Sequence, residues 1–470
     1  MTKKEDVRQK VVKQISNILQ KLESEFNGKT QVIQEMILST YSISHGGVTQ
    51  LNLSRWSGEG GSYRSIQRMM ATQWNWLLIN LLCFGMWSCL CFNKFRSQEE
   101  LLELSKKYIL ALDEVVEPKS RKKTYGIGHF FSSILKGPVN AIKTHVGSIV
   151  DTTKSKSFVL DHHQIEKQSG KDSKQVKVVK KRKAGRPKGS KNKTKEKELG
   201  LIYTSMESLL KRVCPAFLEM FGFALSYVVA DGSYGNKTAC LIAKEYGLEL
   251  ISKLNCTSAL YWSFTGEQKA RGRNRIYGDR IDLENISINH RINWERLKNG
   301  TIQETYHLKG VRSTNIPYLL NVVIIKQTKK DGKVAIVILF STCQELTGEE
   351  IIKFYRLRFQ IEFNFRNAKQ YFGLADFKNT KKIQVTNAIS WAFFMENVST
   401  LLLDEFRETH QNADLNIQDL KAWFRGQKYL NEILNYAEKT GVPILNEDQK
   451  QRILKMGSIN WNKGRKKAAA

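Results

Sequence analysis

Residues 347–373, TGEEIIKFYRLRFQIEFNFRNAKQYFG, carry two patterns at once. Thr347 and Glu350 have the spacing of a capping box, which predicts a helix start, and Gly373 is a natural stop. Between them Ile351, Phe354, Leu357, Ile361, Phe365 and Ala368 recur at three- and four-residue steps, the apolar stripe of a single amphipathic helix. The second pattern is polar. Tyr355, Arg358, Glu362 and Lys369 follow one another at steps of three, four and seven residues. At about 100° per residue they fall within roughly 60° of one another, on one face. A carboxylate with Arg and Lys a turn or two away can hold a divalent cation while the bases hold the phosphates under attack. A solvated face laced by Arg–Glu and Glu–Lys pairs would read the same way.

Tyr-x2-Arg-x3-Glu-x6-Lys resembles the YREK signature of DDE transposases of the insertion sequence four family. The flanking text, FSTCQELTGEEIIKFY before it and QYFGLADFKNT after it, is similar to that family too. Cys343 departs from the pattern, where an Asp is expected after Phe-Ser-Thr; that Asp is not one of the three metal carboxylates. The resemblance spans roughly residues 30 to 405.

The totals agree with a polyanionic partner. Of 470 residues, 75 are Lys or Arg and 45 Asp or Glu, a formal charge of +30. Such an excess fits nucleic acid or an anionic membrane surface, and by itself says nothing of sequence specificity. Length allows two to four domains, and 41% hydrophobic residues allow sizeable cores. The seven cysteines are scattered, without paired CxxC motifs, which predicts free thiols and no structural zinc. MTKKEDVRQKVVKQ lacks the apolar core of a signal peptide, so no export is expected. Residues 74–92, WNWLLINLLCFGMWSCLCF, just reach spanning length, but Asn75, Asn80 and Ser88 favour a buried helix, and no membrane association is expected.

Along the chain, residues 1–100 read as a helical DNA-binding region. Val11, Val12, Ile15, Ile18 and Leu19 form one stripe, and a second helix is predicted over 29–41. Glycine-broken short helices follow, with Ser62 as N-cap and Arg64 and Arg68 placed to enter a DNA groove. A purely structural helical packing domain is equally consistent with that composition. Residues 101–260 read as the first part of an α/β domain. KKYILALDEVV predicts a buried strand ending near Asp113, and TYGIGHFFSSI and NAIKTHVGSIV predict two more. Residues 151–199 read as a linker-like basic insertion, with fourteen Lys or Arg between Lys167 and Lys197. Its Gly185-Arg186-Pro187 centre resembles an AT-hook, with Arg186 as minor-groove probe; a basic tether is the plainer alternative. His162 and His163 are read as loop residues. FALSYVVADGSYGN predicts a second buried strand ending at Asp231, then a turn and a helix. Residues 261–345 read as β-rich, with Arg271, Arg273 and Arg275 in a loop that suits phosphate or solvent equally. Residues 346–407 hold the signature helix and a second long helix, and 408–470 a C-terminal helical region.

The resemblance assigns roles that pattern alone leaves open. On pattern, Asp113 is a strand-end residue with Glu114 as its rival, and Asp231 a turn or capping aspartate. ALDEVVEPKSRKKTYGIGHFFSSI and ADGSYGN look like the family's first- and second-aspartate segments, which makes Asp113, Asp231 and Glu362 the catalytic, metal-holding carboxylates. Tyr355, Arg358 and Lys369 become DNA-gripping residues. The implied fold is multidomain α/β: a ribonuclease-H-like mixed sheet with flanking helices, interrupted by a β-rich insertion, behind an N-terminal helical DNA-binding domain. The implied chemistry uses two Mg2+ ions, with Mn2+ as substitute. It cuts and joins double-stranded DNA, transposon ends and target, by cut-and-paste transposition from a homodimer on paired ends. Such a protein would work in the cytoplasm of a prokaryote, on the nucleoid. The alternative is a transposase-derived DNA-binding protein that has lost catalysis.

Overall fold

The computed structural model describes residues 15–58, 61–90, 96–120, 123–132, 135–166, 200–441 and 445–456. The AT-hook-like stretch with Arg186 lies outside these residues. After helical residues 15–21 come α1 (Thr30–Ser42), α2 (Gln50–Trp56), α3 (Tyr63–Ala71), α4 (Trp76–Ser88) and α5 (Gln98–Lys107). Three antiparallel strands follow the last of these, β1 (Tyr108–Pro118), β3 (Gly137–Asp151) and β4 (Lys156–Ile165), with the short β2 (Gly128–Ser132) also on β3. Helix α6 (Leu201–Phe221) leads to β5 (Tyr227–Ala230), and α7 (Lys237–Glu245) leads to β6 (Glu249–Leu254); β5 runs parallel to both β1 and β6.

The chain then adds β7 (Leu260–Ser263), β8 (Tyr277–Arg280), β9 (Arg291–Arg296), β10 (Ile302–Ser313), β11 (Ile316–Thr328) and β12 (Val334–Ser341). These strands do not form a sheet of their own. β12 pairs antiparallel with β6, so one mixed sheet runs β2-β3-β1-β5-β6-β12-β11-β10-β7-β8, with β4 on β3 and β9 on β10. Helices α8 (Gly348–Leu357), α9 (Gln360–Tyr371), α10 (Lys382–Thr409), α11 (Ile417–Thr440) and α12 (Glu447–Leu454) complete the described chain.

The N-terminal helices pack into the same core as the sheet. α4 is apolar all round because it lies between β4 and α10, where Ile79, Leu81, Cys83 and Phe84 are buried. Among the described residues no helix is long and apolar enough to cross a membrane. α10 is the hub. Its Asn387 accepts from the Trp76 indole at 2.8 Å and donates to the carbonyls of Met70 and Thr72, while Asn397 clamps both backbone groups of Val159 in β4. Buried amides in such pairs are costly to leave unpartnered, so they fix the register of α10 against α3, α4 and β4.

Three expectations need correction. Residues 347–373 form two helices, not one: i→i−3 bonds from Phe359 to Arg356, from Ile361 to Arg358 and from Glu362 to Phe359 tighten the chain between α8 and α9. That turn breaks the uniform 100° phase. β1 does not end at Asp113 but runs on to Pro118. Residues 156–165 are not linker but β4, and His162 and His163 are strand residues, with His162 Nε2 2.7 Å from Ser390 Oγ. The capping box holds as expected: Thr347 N donates to Glu350 Oε2 at 2.8 Å and Glu350 N to Thr347 Oγ1 at 3.2 Å. Gly373 has φ +82°, and a Cβ there would meet Val48 Cβ at 2.6 Å.

Candidate active site

Strand register brings the first two acids together. In the parallel pair β1–β5, Leu112 faces Ala230. The next residues are Asp113 and Asp231, so the two carboxylates leave adjacent strands side by side. β5 ends at that point, and Asp231 caps a tight turn: its Oδ1 accepts from Ser233 N at 2.9 Å and Ser233 Oγ at 2.5 Å. The turn is pressed against β6, where Ser252 Oγ donates to the Asp231 carbonyl at 2.5 Å. Gly235 is required there, since a Cβ would stand 2.3 Å from the Lys253 carbonyl oxygen.

The third acid arrives from α9. Glu362 does not touch Asp113 directly; Arg358, at the turn between α8 and α9, bridges them. Its Nη1 is 2.8 Å from Asp113 Oδ2 and its Nη2 is 2.9 Å from Glu362 Oε1. The guanidinium is only 15% exposed, against 39% for Glu362. Burial pushes the Asp113 carboxyl up to about 6; the Glu114 amide and Arg358 oppose the shift, and Asp231 reinforces it. The Tyr355 phenol is raised by burial, with Arg358 working against the shift and Asp231 and Asp113 adding to it. Tyr355, Arg358 and Glu362 therefore reach one acidic centre despite the broken helix.

Lys369 does not reach that centre. It pairs at 2.5 Å with Glu117, a buried acid four residues beyond Asp113 and on the same face of β1. Two cations of the signature are thus tied to two acids of one strand face. Sequence reasoning missed Glu117, although the period of a strand puts positions 113, 115 and 117 on one side. It also left Glu114 as a rival ligand. Glu114 projects to the opposite face, where it accepts from the Tyr234 hydroxyl and pairs with Lys143 at 3.0 Å. Behind Tyr234 stands His145, its Nε2 at 3.2 Å and its Nδ1 3.0 Å from Ser205 Oγ. Burial pushes that imidazole down to about 3, so it is a neutral hydrogen-bonding partner. Arg64 and Arg68 are exposed on α3, and Arg271, Arg273 and Arg275 in the loop between β7 and β8. Among the described residues, no hydrogen bond or ion pair joins them to the acids.

Asp113, Asp231 and Glu362 offer only oxygen donors, the chemistry that suits a hard divalent cation. Among the described residues no three His, Cys, Asp or Glu side chains are gathered at metal-holding distances. Instead, a guanidinium lies between two of the three carboxylates.

A family model described as DDE superfamily endonuclease matches residues 30–314. The chain belongs to that family. The match includes Asp113 and Asp231 and stops before Glu362. No curated protein matches the chain. Among solved structures, this DDE endonuclease is similar to a piggyBac transposase synaptic complex with hairpin DNA, at 11% identity, covering 89% of this chain and 76% of that one, with a TM-score of 0.36. A likeness at that level says nothing about chemistry.

Proposed function

We propose that this DDE endonuclease is a transposase that excises and inserts an insertion sequence by cut-and-paste transposition, cleaving and joining phosphodiesters at the element's terminal inverted repeats. The observation that carries the reading is the register of β1 on β5, which sets Asp113 beside Asp231, with Glu362 reached through Arg358. The strand order β4-β3-β1-β5-β6, antiparallel on one side of β1 and parallel on the other, supports a ribonuclease-H-like core.

Asp113, Asp231 and Glu362 would hold two Mg2+ ions, or Mn2+ in their place. Those ions supply activation of a water or a DNA 3′-hydroxyl and charge neutralisation at the phosphorus. The chain's own groups do the rest. Arg358 and Tyr355 present donors to the phosphate beside the acids, and Lys369, paired with Glu117, would grip DNA further along α9. Arg64, Arg68, Arg186 and the +30 charge serve binding of transposon ends and target DNA, by a homodimer on paired ends.

The deciding experiment incubates the protein with supercoiled plasmid carrying the element's ends, with Mg2+ or EDTA, beside Glu362→Gln. Metal-dependent cuts at the ends, lost in the variant, are expected. End binding without cleavage under any metal would instead fit a DNA-binding protein that has lost catalysis.

A further inference from the structure

We propose that Arg358 is the internal counter-ion of the acidic centre and competes with divalent cations for Asp113 Oδ2 and Glu362 Oε1, so that DNA phosphate, by drawing Arg358 away, strengthens metal binding. This rests on the metal-site reading above and adds its regulation.

The argument begins with geometry. One guanidinium spans the two carboxylates at 2.8 and 2.9 Å, using one Nη for each. Those are the lone pairs a divalent ion shared by the two residues would need. The contact is well shielded, with Arg358 15% and Asp113 19% exposed, so exchange with water is a poor substitute for it. Asp231 stands beside Asp113 on the neighbouring strand, which concentrates negative charge and favours a cation at the centre. Among the described residues Arg358 Nε is buried without a hydrogen-bond partner, so the guanidinium's ties to the two acids run through its Nη groups, with Tyr355 beside them. Arg358 also sits in the turn between α8 and α9, where its displacement breaks no regular helix. A phosphate can accept from both Nη groups at once, taking up the two contacts that the acids now share. Arg358 can therefore pass from carboxylates to phosphate while the acids turn to a metal. Binding energies coupled in this way are reciprocal: metal strengthens DNA binding as DNA strengthens metal binding.

The test is Mn2+ binding, read from the electron paramagnetic resonance signal of the free ion, without any turnover. Wild type, Arg358→Gln, Asp113→Asn and the double variant are titrated, each with and without a duplex oligonucleotide. Arg358→Gln is expected to bind Mn2+ about tenfold more tightly than wild type, as removal of one competing charge predicts. The duplex should raise affinity in wild type and do little in Arg358→Gln. Asp113→Asn should weaken binding in both backgrounds. Equal affinities for wild type and Arg358→Gln, both weakened by Asp113→Asn, would overturn the competition and leave the metal site standing. No Mn2+ binding by any form, with melting curves showing folded protein, would remove the metal-site reading itself. Should Arg358→Gln be poorly folded alone, its melting temperature must rise more with Mn2+ than that of wild type; an equal rise overturns the proposal.

Discussion

Asp113 and Glu114 are neighbours on one strand and live in opposite worlds. Asp113 faces α9, beside Asp231, with the Arg358 guanidinium between it and Glu362. Glu114 faces α6 and the β5–α7 turn, in a closed set with Lys143, Tyr234, His145 and Ser205. The front acid is paired with one guanidinium that it shares with Glu362; the back acid is held by both a phenol and an ammonium. On the proposed function, the front acid is the one an outside ion would meet, and the back acid serves the packing of the sheet. Tyr234 joins the two, because it belongs to the turn that Asp231 caps. The back network thereby braces the turn that follows Asp231.

The largest test of this contrast is on plasmid cleavage. Asp113→Asn and Glu362→Gln should each lower the rate by about 100-fold or more, the scale of removing a group that stabilises transition-state charge. Glu114→Gln should retain cleavage within about tenfold, as expected of a supporting residue. A Glu114→Gln enzyme as dead as Asp113→Asn would erase the distinction. Stability should move the other way. Glu114→Gln strands Lys143 beside a buried phenol and should cost about 1–3 kcal/mol in urea unfolding. Asp113→Asn should be near neutral or stabilising, because burial already disfavours its charged form.

A third acid extends the comparison to the rear of α9. Glu396 is buried on α10; its Oε1 accepts from Asn367 at 3.0 Å and Asn364 at 3.4 Å, and among the described residues its Oε2 has no hydrogen-bond partner. Burial pushes this carboxyl up to about 7, against the pull of the two amides. A raised acid pKa means the folded protein binds the proton more tightly than the unfolded chain. The stability it contributes is full below the unfolded value of 4.5 and is lost as pH rises through about 7. Urea unfolding of wild type should therefore weaken between pH 5 and 8, by on the order of 2 kcal/mol from this group. Glu396→Gln should flatten that fall, and an unchanged profile would show that the rear acid is already compensated. The smallest effect is expected at exposed α3. Arg64→Ala and Arg68→Ala should each weaken DNA binding a few-fold and lower the log-log salt slope by about 1, with cleavage of bound DNA unaffected.

Local pattern carried much of this structure. The capping box at Thr347, the stop at Gly373, the Ser62 cap of α3, the buried strand from Tyr108 and the strand-turn-helix at Asp231 depend on residues a few positions apart, and such signals lie within the sequence itself. The joint at Arg358–Phe359 was hidden, because apolar spacing continues through it and only tertiary packing of α8 on the β6–β12 side and α9 on β1 and β4 separates the two halves. β4 was hidden by the basic run that follows it, which made 151–199 look uniform.

By itself the sequence offered candidates for the chemistry: a Tyr-Arg-Glu-Lys spacing, acids at the ends of buried strands that the family resemblance singled out, and a charge suited to DNA. Tertiary structure alone decided which of them meet. Parallel pairing of β1 with β5 joins residues 118 positions apart, 231 − 113, and nothing local encodes that register. The pleat sent Asp113 and Glu114 to opposite faces, and packing of α9 on β1 gave Arg358 to Asp113 and Lys369 to Glu117. Charge partners are set by distance in space, and distance in space follows from burial of the apolar faces that bring these strands and helices together.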